Sequence, residues 1–338
     1  MNARATLLVT LTVALIALLT AAGCSEPPQP AATGKVTGAL RKVSFNMAWL
    51  PQGSMVGIIV AQERGFFRDV GLEVDAVRGF GGTRTTNEVD QGMFDFGYGD
   101  PVSVILNRAG GGQARLVAML NSRWPAGLCY LADKRKIETP ADLRGLRVGG
   151  GQNSAVQALL PVWLGRNGLS SADITLLQLN PSVIVTSLIE GQIDVAECWS
   201  GNSRPLFVKE ARAAGHELAS LEYGRFNLDI YGSGIITTDR MIGEQPETVR
   251  GFVSAALRGY AFATENAAPA LALMQQRFPI LDPEVTSAQI GEMSALVQDA
   301  GRMNPEKMTR TLDFVAAGYA DVATKVQTEA VYTNDFVK

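Results

Sequence analysis

The ten residues QGMFDFGYGD, at positions 91–100, return in degenerate form as EGQIDVAECW, at positions 190–199. In each copy a glycine, Gly92 or Gly191, closes a helical pattern. An aspartate, Asp95 or Asp194, then opens an apolar run. Glycine just past a helix end followed by a short apolar run reads as helix, turn, strand. A second pair of marks, Gly71-Leu72 and Gly168-Leu169, precedes the first in the same order. Helix–glycine–strand is common, so a single match would mean little. Two matched pairs in matching order read as an internal repeat, and hence as two lobes of one design.

Working outward, strands are expected at Val43 to Ala48, Leu72 to Val77, Phe94 to Tyr98 and Leu116 to Leu120, with helices at Met55 to Gly65 and Thr85 to Gln91. The second unit repeats this: strands at Leu146 to Gly149, Ile174 to Leu179 and Ile193 to Cys198, and helices at Ala155 to Asn167 (with Pro161 inside) and Val183 to Glu190. Alternating strands and helices of these lengths imply parallel sheets with right-handed crossovers. Amphipathic helices follow at Pro246 to Thr264, Ala268 to Phe278, Thr286 to Ala300 and Pro305 to Val322. They bring no sheet, so they are expected to pack back on the first lobe. The crossings between lobes are placed at Leu131 to Pro140 and Tyr231 to Thr237. The domain reading is therefore leader 1–23, flexible tether 24–40, lobe I 41–132 with 236–338, and lobe II 133–235.

The bulk numbers agree with a folded two-lobed α/β chain. There are 338 residues, 46% hydrophobic and 19% charged, with a net charge of -3. No basic cluster points to nucleic acid. The N-terminus carries Arg4 and then an almost wholly apolar run, Leu7 to Leu19, shorter than the ~20 residues that span a bilayer. Ala21-Ala22-Gly23 leads into Cys24, and Ser25 to Gly38 is a Pro- and Ala-rich stretch with no hydrophobic period. Cys129 and Cys198 fall on segments with no evident reason to meet and are read as buried free thiols. With one histidine, His216, and no Cys/His spacing, no metal site or cofactor is expected.

The run MAWLPQGSMVGIIVAQERGFFRDVGLEVD, at positions 47–75, resembles the opening of the periplasmic solute-binding proteins related to yeast thiamine-pyrimidine synthesis proteins, the NMT1/THI5-like family. The resemblance rests on Trp49, Gly65-Phe66-Phe67 and Gly71-Leu72-Glu73-Val74, on IETPADLRGLRVG at 137–149, and on YTNDFV at 332–337. It implies a type II periplasmic-binding fold and a monomeric receptor that hands a small molecule to the permease and ATPase of an ABC importer. The segment before Cys24 resembles a bacterial lipobox, with Ala21 where leucine is more usual. It implies lipidation of Cys24 and a membrane anchor on the periplasmic or extracellular face.

Ligands of open parallel sheets bind beyond the carboxyl ends of the strands. That rule selects Trp49, Phe80, Gly82, Thr83, Tyr98, Asp100, Arg123 and Trp124 in the first lobe. In the second lobe it selects Gln152, Asn153, Ser154, Glu197 and Trp199, and Tyr231 is added by the return crossing. Three of the four tryptophans fall among these positions, Trp163 being the exception. Planar side chains there suit a planar ligand, or simply pack the lobe. Asp100 and Glu197 are read as equivalent acids that either face ligand N–H groups or serve as a helix cap and ion-pair partner. The turn Gly149 to Ser154 either holds an anion or caps a helix. The balance points to a planar nitrogen-bearing ligand; the resemblance implies a thiamine-type aminopyrimidine first, then a flavin or aromatic carboxylate, with sulfonate and nitrate behind them. A pyrimidine-synthesis enzyme and a receptor-docking sensor are the rival classes.

Overall fold

The computed structural model describes residues 39–337 apart from positions 153 and 298. The leader, Cys24, the tether up to residue 38 and Asn153 lie outside the described residues. Ten strands form two five-stranded sheets. In chain order they are β1 (Arg41–Asn46), β2 (Leu72–Val77), β3 (Phe96–Gly99), β4 (Ala114–Met119), β5 (Ala126–Leu131), β6 (Arg147–Gly151), β7 (Thr175–Leu179), β8 (Val195–Trp199), β9 (Leu218–Glu222) and β10 (Gly234–Thr238). The first sheet runs β2-β1-β3-β10-β4 and the second β7-β6-β8-β5-β9. In each, the fourth position is held by one antiparallel strand, β10 or β5, that has arrived from the other lobe.

The repeat is visible atom by atom. Asp95 Oδ2 accepts from the Ser44 amide at 2.8 Å, and Asp194 Oδ2 accepts from the Arg147 amide at 2.8 Å. Each carboxylate ties the start of the third parallel strand to the first. Gly92 and Gly191 turn the chain into those strands at φ 75° and 72°, a backbone region that side chains with a Cβ avoid. The register Phe45↔Phe96 in one sheet matches Val148↔Val195 in the other. Counting along β3 and β8 from these aspartates pairs Tyr98 with Glu197 and Asp100 with Trp199. The two acids therefore do not occupy equivalent positions, which corrects the expectation from sequence.

Four other expectations change. Ala126–Leu131, assigned by sequence to the first lobe, pairs with β8 and β9 in the second sheet, so the first crossing lies between β4 and β5. All six of its residues are buried, so no polar alternation marks it as a strand in the sequence. Likewise β10 begins at Gly234, inside the segment taken as the return crossing. The free-thiol reading of Cys129 and Cys198 is also overturned: they form a disulfide, Cα–Cα 5.8 Å. With β5 beside β8, the two cysteines sit on neighbouring strands. Finally, the helix expected at Pro305 to Val322 stops at Ala316. Gly318 turns the chain where a Cβ would come within 2.3 Å of Val162.

The first lobe's core is aromatic. Phe252, on the helix Pro246–Glu265, stacks on Phe96 at 4.0 Å between ring centroids and lies against Phe67 and Phe45 at 5.1 and 5.6 Å. That helix crosses Val56–Glu63 so closely that a Cβ on Gly259 would meet the Gly57 carbonyl at 2.0 Å. The two crossing segments run side by side. Leu120 and Asn121 amides donate to the Ser233 carbonyl at 3.0 and 2.9 Å, Gly232 donates to Asn121 at 3.0 Å, and Trp124 to Ile230 at 3.0 Å. This short ladder is the hinge.

Candidate functional site

The carboxyl ends of the parallel strands of both sheets, with the hinge ladder beside them, collect most of the residues selected from sequence. Trp124 leaves the hinge just ahead of β5, and Ala126 pairs with Trp199 at the end of β8. The two indoles therefore meet, at 5.3 Å between centroids and 49° between planes. The Trp199 Nε1–H donates to Glu197, which also accepts from the Gly151 amide at 3.1 Å and from the Ser154 hydroxyl. Glu197 is buried, and burial pushes its carboxyl above the ordinary range against the pull of those donors.

This arrangement fixes how the turn after β6 is used. Its amide at Gly151 and the hydroxyl of Ser154 are turned onto a carboxyl of the chain's own, while Ser154 also caps the helix Ala155–Arg166. The Gln152 amide donates to the Leu179 carbonyl at 3.1 Å and its side chain is exposed.

In the first lobe, Asp100 is the N-cap of the helix Pro101–Ala109. It accepts from the Ser103 amide and hydroxyl, both at 2.9 Å, and burial raises its carboxyl above the ordinary range. Gly82 opens the helix Gly82–Asp90, with no room for a Cβ beside Asp100 (2.9 Å to Oδ2), and Thr83 Oγ1 is 3.3 Å from Ser103 Oγ. Tyr98, buried, receives a bond from Asn121 at 3.4 Å; burial raises its hydroxyl to about 12, so it is neutral. Trp49 is half-buried in the loop after β1, beside the β2 loop, whose Gly79 amide donates to its carbonyl at 3.2 Å.

Other selected residues are exposed or have partners of their own. Phe80 is 47% exposed and carries the guanidinium groups of Arg78 and Arg84 at 4.4 and 4.9 Å from its ring centre. Arg123 is exposed. Tyr231 spends its hydroxyl accepting from the Asn304 amide at 2.8 Å, so it fastens the hinge to the helix Pro305–Ala316. His216 hydrogen-bonds Asp133 at 2.8 Å, beyond the end of the second sheet remote from Trp199.

Besides the selected Trp124, other polar groups near these strand ends were not selected from sequence. Among the described residues, the buried Trp124 Nε1, Asn121 Oδ1, Gln52 Nε2 and Tyr223 hydroxyl have no hydrogen-bond partner within the protein. Buried polar groups are nearly always paired, so these call for a ligand or water. All four are uncharged. Tyr223 directly follows β9 and feels the Glu197 charge, yet nothing in its sequence neighbourhood distinguishes it from a core tyrosine.

Comparison with known proteins agrees with this architecture. A family model described as NMT1/THI5 like matches residues 52–270. The riboflavin-binding protein RibY of Chloroflexus aurantiacus is 28% identical, over 97% of this chain and 97% of its own length. A formylaminopyrimidine-binding protein of Halalkalibacterium halodurans is 24% identical, over 79% of this chain and 80% of its own. Among solved structures, the alkanesulfonate-binding protein SsuA from Xanthomonas axonopodis pv. citri superposes with a TM-score of 0.68 at 17% identity. The match covers 88% of this chain and 100% of that one. At that identity the likeness speaks to fold, and the fold is the two-lobed type II periplasmic-binding arrangement.

Proposed function

The chain belongs to the NMT1/THI5-like family, and from that premise we propose that it is an extracytoplasmic solute receptor. It closes its lobes on a neutral, planar nitrogen heterocycle and delivers it to an ABC importer. One observation carries the choice of ligand class: Glu197 occupies the Gly151–Ser154 turn, the place where a sulfonate, phosphate or nitrate would be held. A carboxyl already seated on those donors disfavours an anion, whereas the adjoining indole pair offers apolar faces to a flat ring. The unpartnered Trp124 N–H and Gln52 amide supply donors, and Asn121 an acceptor, for the edge of such a ring.

A flavin is the first ligand to test, because the relative named for riboflavin binding aligns end to end with this chain. A thiamine-type aminopyrimidine is the second, on the strength of the relative named for formylaminopyrimidine. Anchoring through Cys24 accompanies this reading.

Native mass spectrometry for co-purified ligand, followed by tryptophan-fluorescence titration, tests it. Riboflavin, 4-amino-5-hydroxymethyl-2-methylpyrimidine, an alkanesulfonate and nitrate form the panel. Saturable quenching by one of the planar compounds and none by the anions is expected, with the ligand recovered unchanged. Binding of nitrate or sulfonate alone overturns the ligand class, and consumption of the ligand overturns the receptor reading.

A further inference from the structure

The turn that ends β8 does two things within four residues. Trp199 lies in the indole pair, and the next residues reach across to the first lobe's helix Pro283–Leu296. The Gly201 amide donates to Glu292 Oε2 at 2.7 Å. Arg204, on the helix Ser203–Ala213, grips Glu292 Oε1 through Nε at 3.0 Å and Nη2 at 2.7 Å. Gln289 spans the same seam: its Nε2 donates to the Asn202 carbonyl at 2.6 Å, and its Oε1 accepts from the first-lobe Gly53 amide at 3.0 Å. Farther along, Lys209 pairs with Asp282.

We propose that Glu292, with Gln289 beside it, forms the first-lobe half of a latch that holds the lobes shut and positions the ligand-facing Trp199 turn through Gly201 and Arg204. The geometry is specific to closure, because each of these bonds from the Trp199 turn joins one lobe to the other. Gly201 supports it: its φ is 70°, and its Cα passes so near the helix that a Cβ would sit 3.3 Å from Met293. Arg204 is also held from its own lobe by Glu222 at 2.9 Å, which orients the guanidinium toward the seam before it closes. Glu292 is thus a positioning residue. The pair is partly exposed, at 28% and 24%, so salt reaches it.

The latch rests on contacts between the lobes rather than on the identity of the ligand, so its failure leaves the receptor reading standing. The test uses the full chain without ligand. Small-angle scattering reads the radius of gyration, and amide exchange reads protection at Gly201. Glu292→Ala removes charge-assisted bonds and is expected to raise the open-to-closed ratio at least about tenfold, or about 1.4 kcal/mol. This appears as a larger radius and correspondingly faster Gly201 exchange, with far-UV circular dichroism unchanged. Asp321→Asn, in an exposed pair with Lys325 of the same helix, leaves the radius as in the wild type. Wild-type protein in about 1 M NaCl, where the screening length falls to ~3 Å, expands in the same direction. An unchanged radius with unchanged Gly201 protection in Glu292→Ala overturns the latch. If that variant does not fold, the salt series on wild-type protein decides instead: a radius and Gly201 protection that do not respond to salt overturn the latch equally.

Discussion

The two lobes share a scaffold and differ in what fills it. Both sheets have the same strand order, both insert one antiparallel strand from the other lobe, and both tie strand three to strand one through an aspartate. The first lobe surrounds its sheet with stacked phenylalanines and a long C-terminal helix. The second has a disulfide across neighbouring strands and an aspartate ringed by two arginines, Arg135 and Arg147. At the matched cleft positions the pairs are Tyr98 with Glu197 and Asp100 with Trp199. Local rules preserve the frame, while the side chains at these strand ends diverge between the copies.

The largest expected difference between the lobes lies in their cores. Phe252→Ala removes the ring on which three others pack and should cost about 3–5 kcal/mol, read from the urea midpoint. If the lobes unfold separately, only the transition of the first lobe moves.

Next comes the pair of strand-tying aspartates. Asp194, held at about 2 by hydrogen bonds from Arg147 against an ordinary value of 3.8, contributes roughly 2 kcal/mol. Its folded value is depressed, so the contribution is present above about pH 4 and lost as pH falls toward 2. Asp194→Asn should remove that acid dependence, measured by melting temperature from pH 6 downward. Asp95→Asn, faced only by Ser44, should cost less at neutral pH.

The cleft acids give the smallest effects. Asp100→Ala removes a helix cap, worth about 1 kcal/mol, and should leave ligand affinity unchanged; a large loss of affinity would place Asp100 against the ligand. Glu197→Gln should scarcely change stability at low pH. Glu197 binds its proton more tightly folded than unfolded, so wild-type stability falls as pH rises above about 4.5. The glutamine variant should lose that decline, as seen in melting temperatures between pH 4 and 8.

What could be read in the sequence follows the same division. The strand β9 and the helices after β3 and β8 went unread, whereas the other seven parallel strands, the helices after β1, β2, β6 and β7, and the repeat marks Gly92, Asp95, Gly191 and Asp194 were legible, because turn chemistry and apolar runs are local signals. β5 and β10 were not. Their residues are buried without alternation, and which sheet they join depends on partners far along the chain. The disulfide was lost with β5, since Cys129 had no strand on which to meet Cys198. Asp100-Pro101-Val102-Ser103 carries a legible cap signature, aspartate followed by proline at the first helical position. By contrast, the roles of Glu197 and Tyr223 depend on three strands converging, which no single stretch of sequence shows.

The Cys129–Cys198 bond has a mechanical consequence. It closes a ring of sequence separation 69 that contains all of β6 and β7 and most of β8. Tension applied between the chain ends runs through the crosslink and bypasses that ring. A single molecule stretched in an optical trap should therefore come up short by roughly 240 Å of contour length, at about 3.5 Å per residue. Adding a thiol reductant to the stretched chain should release that hidden length in one step.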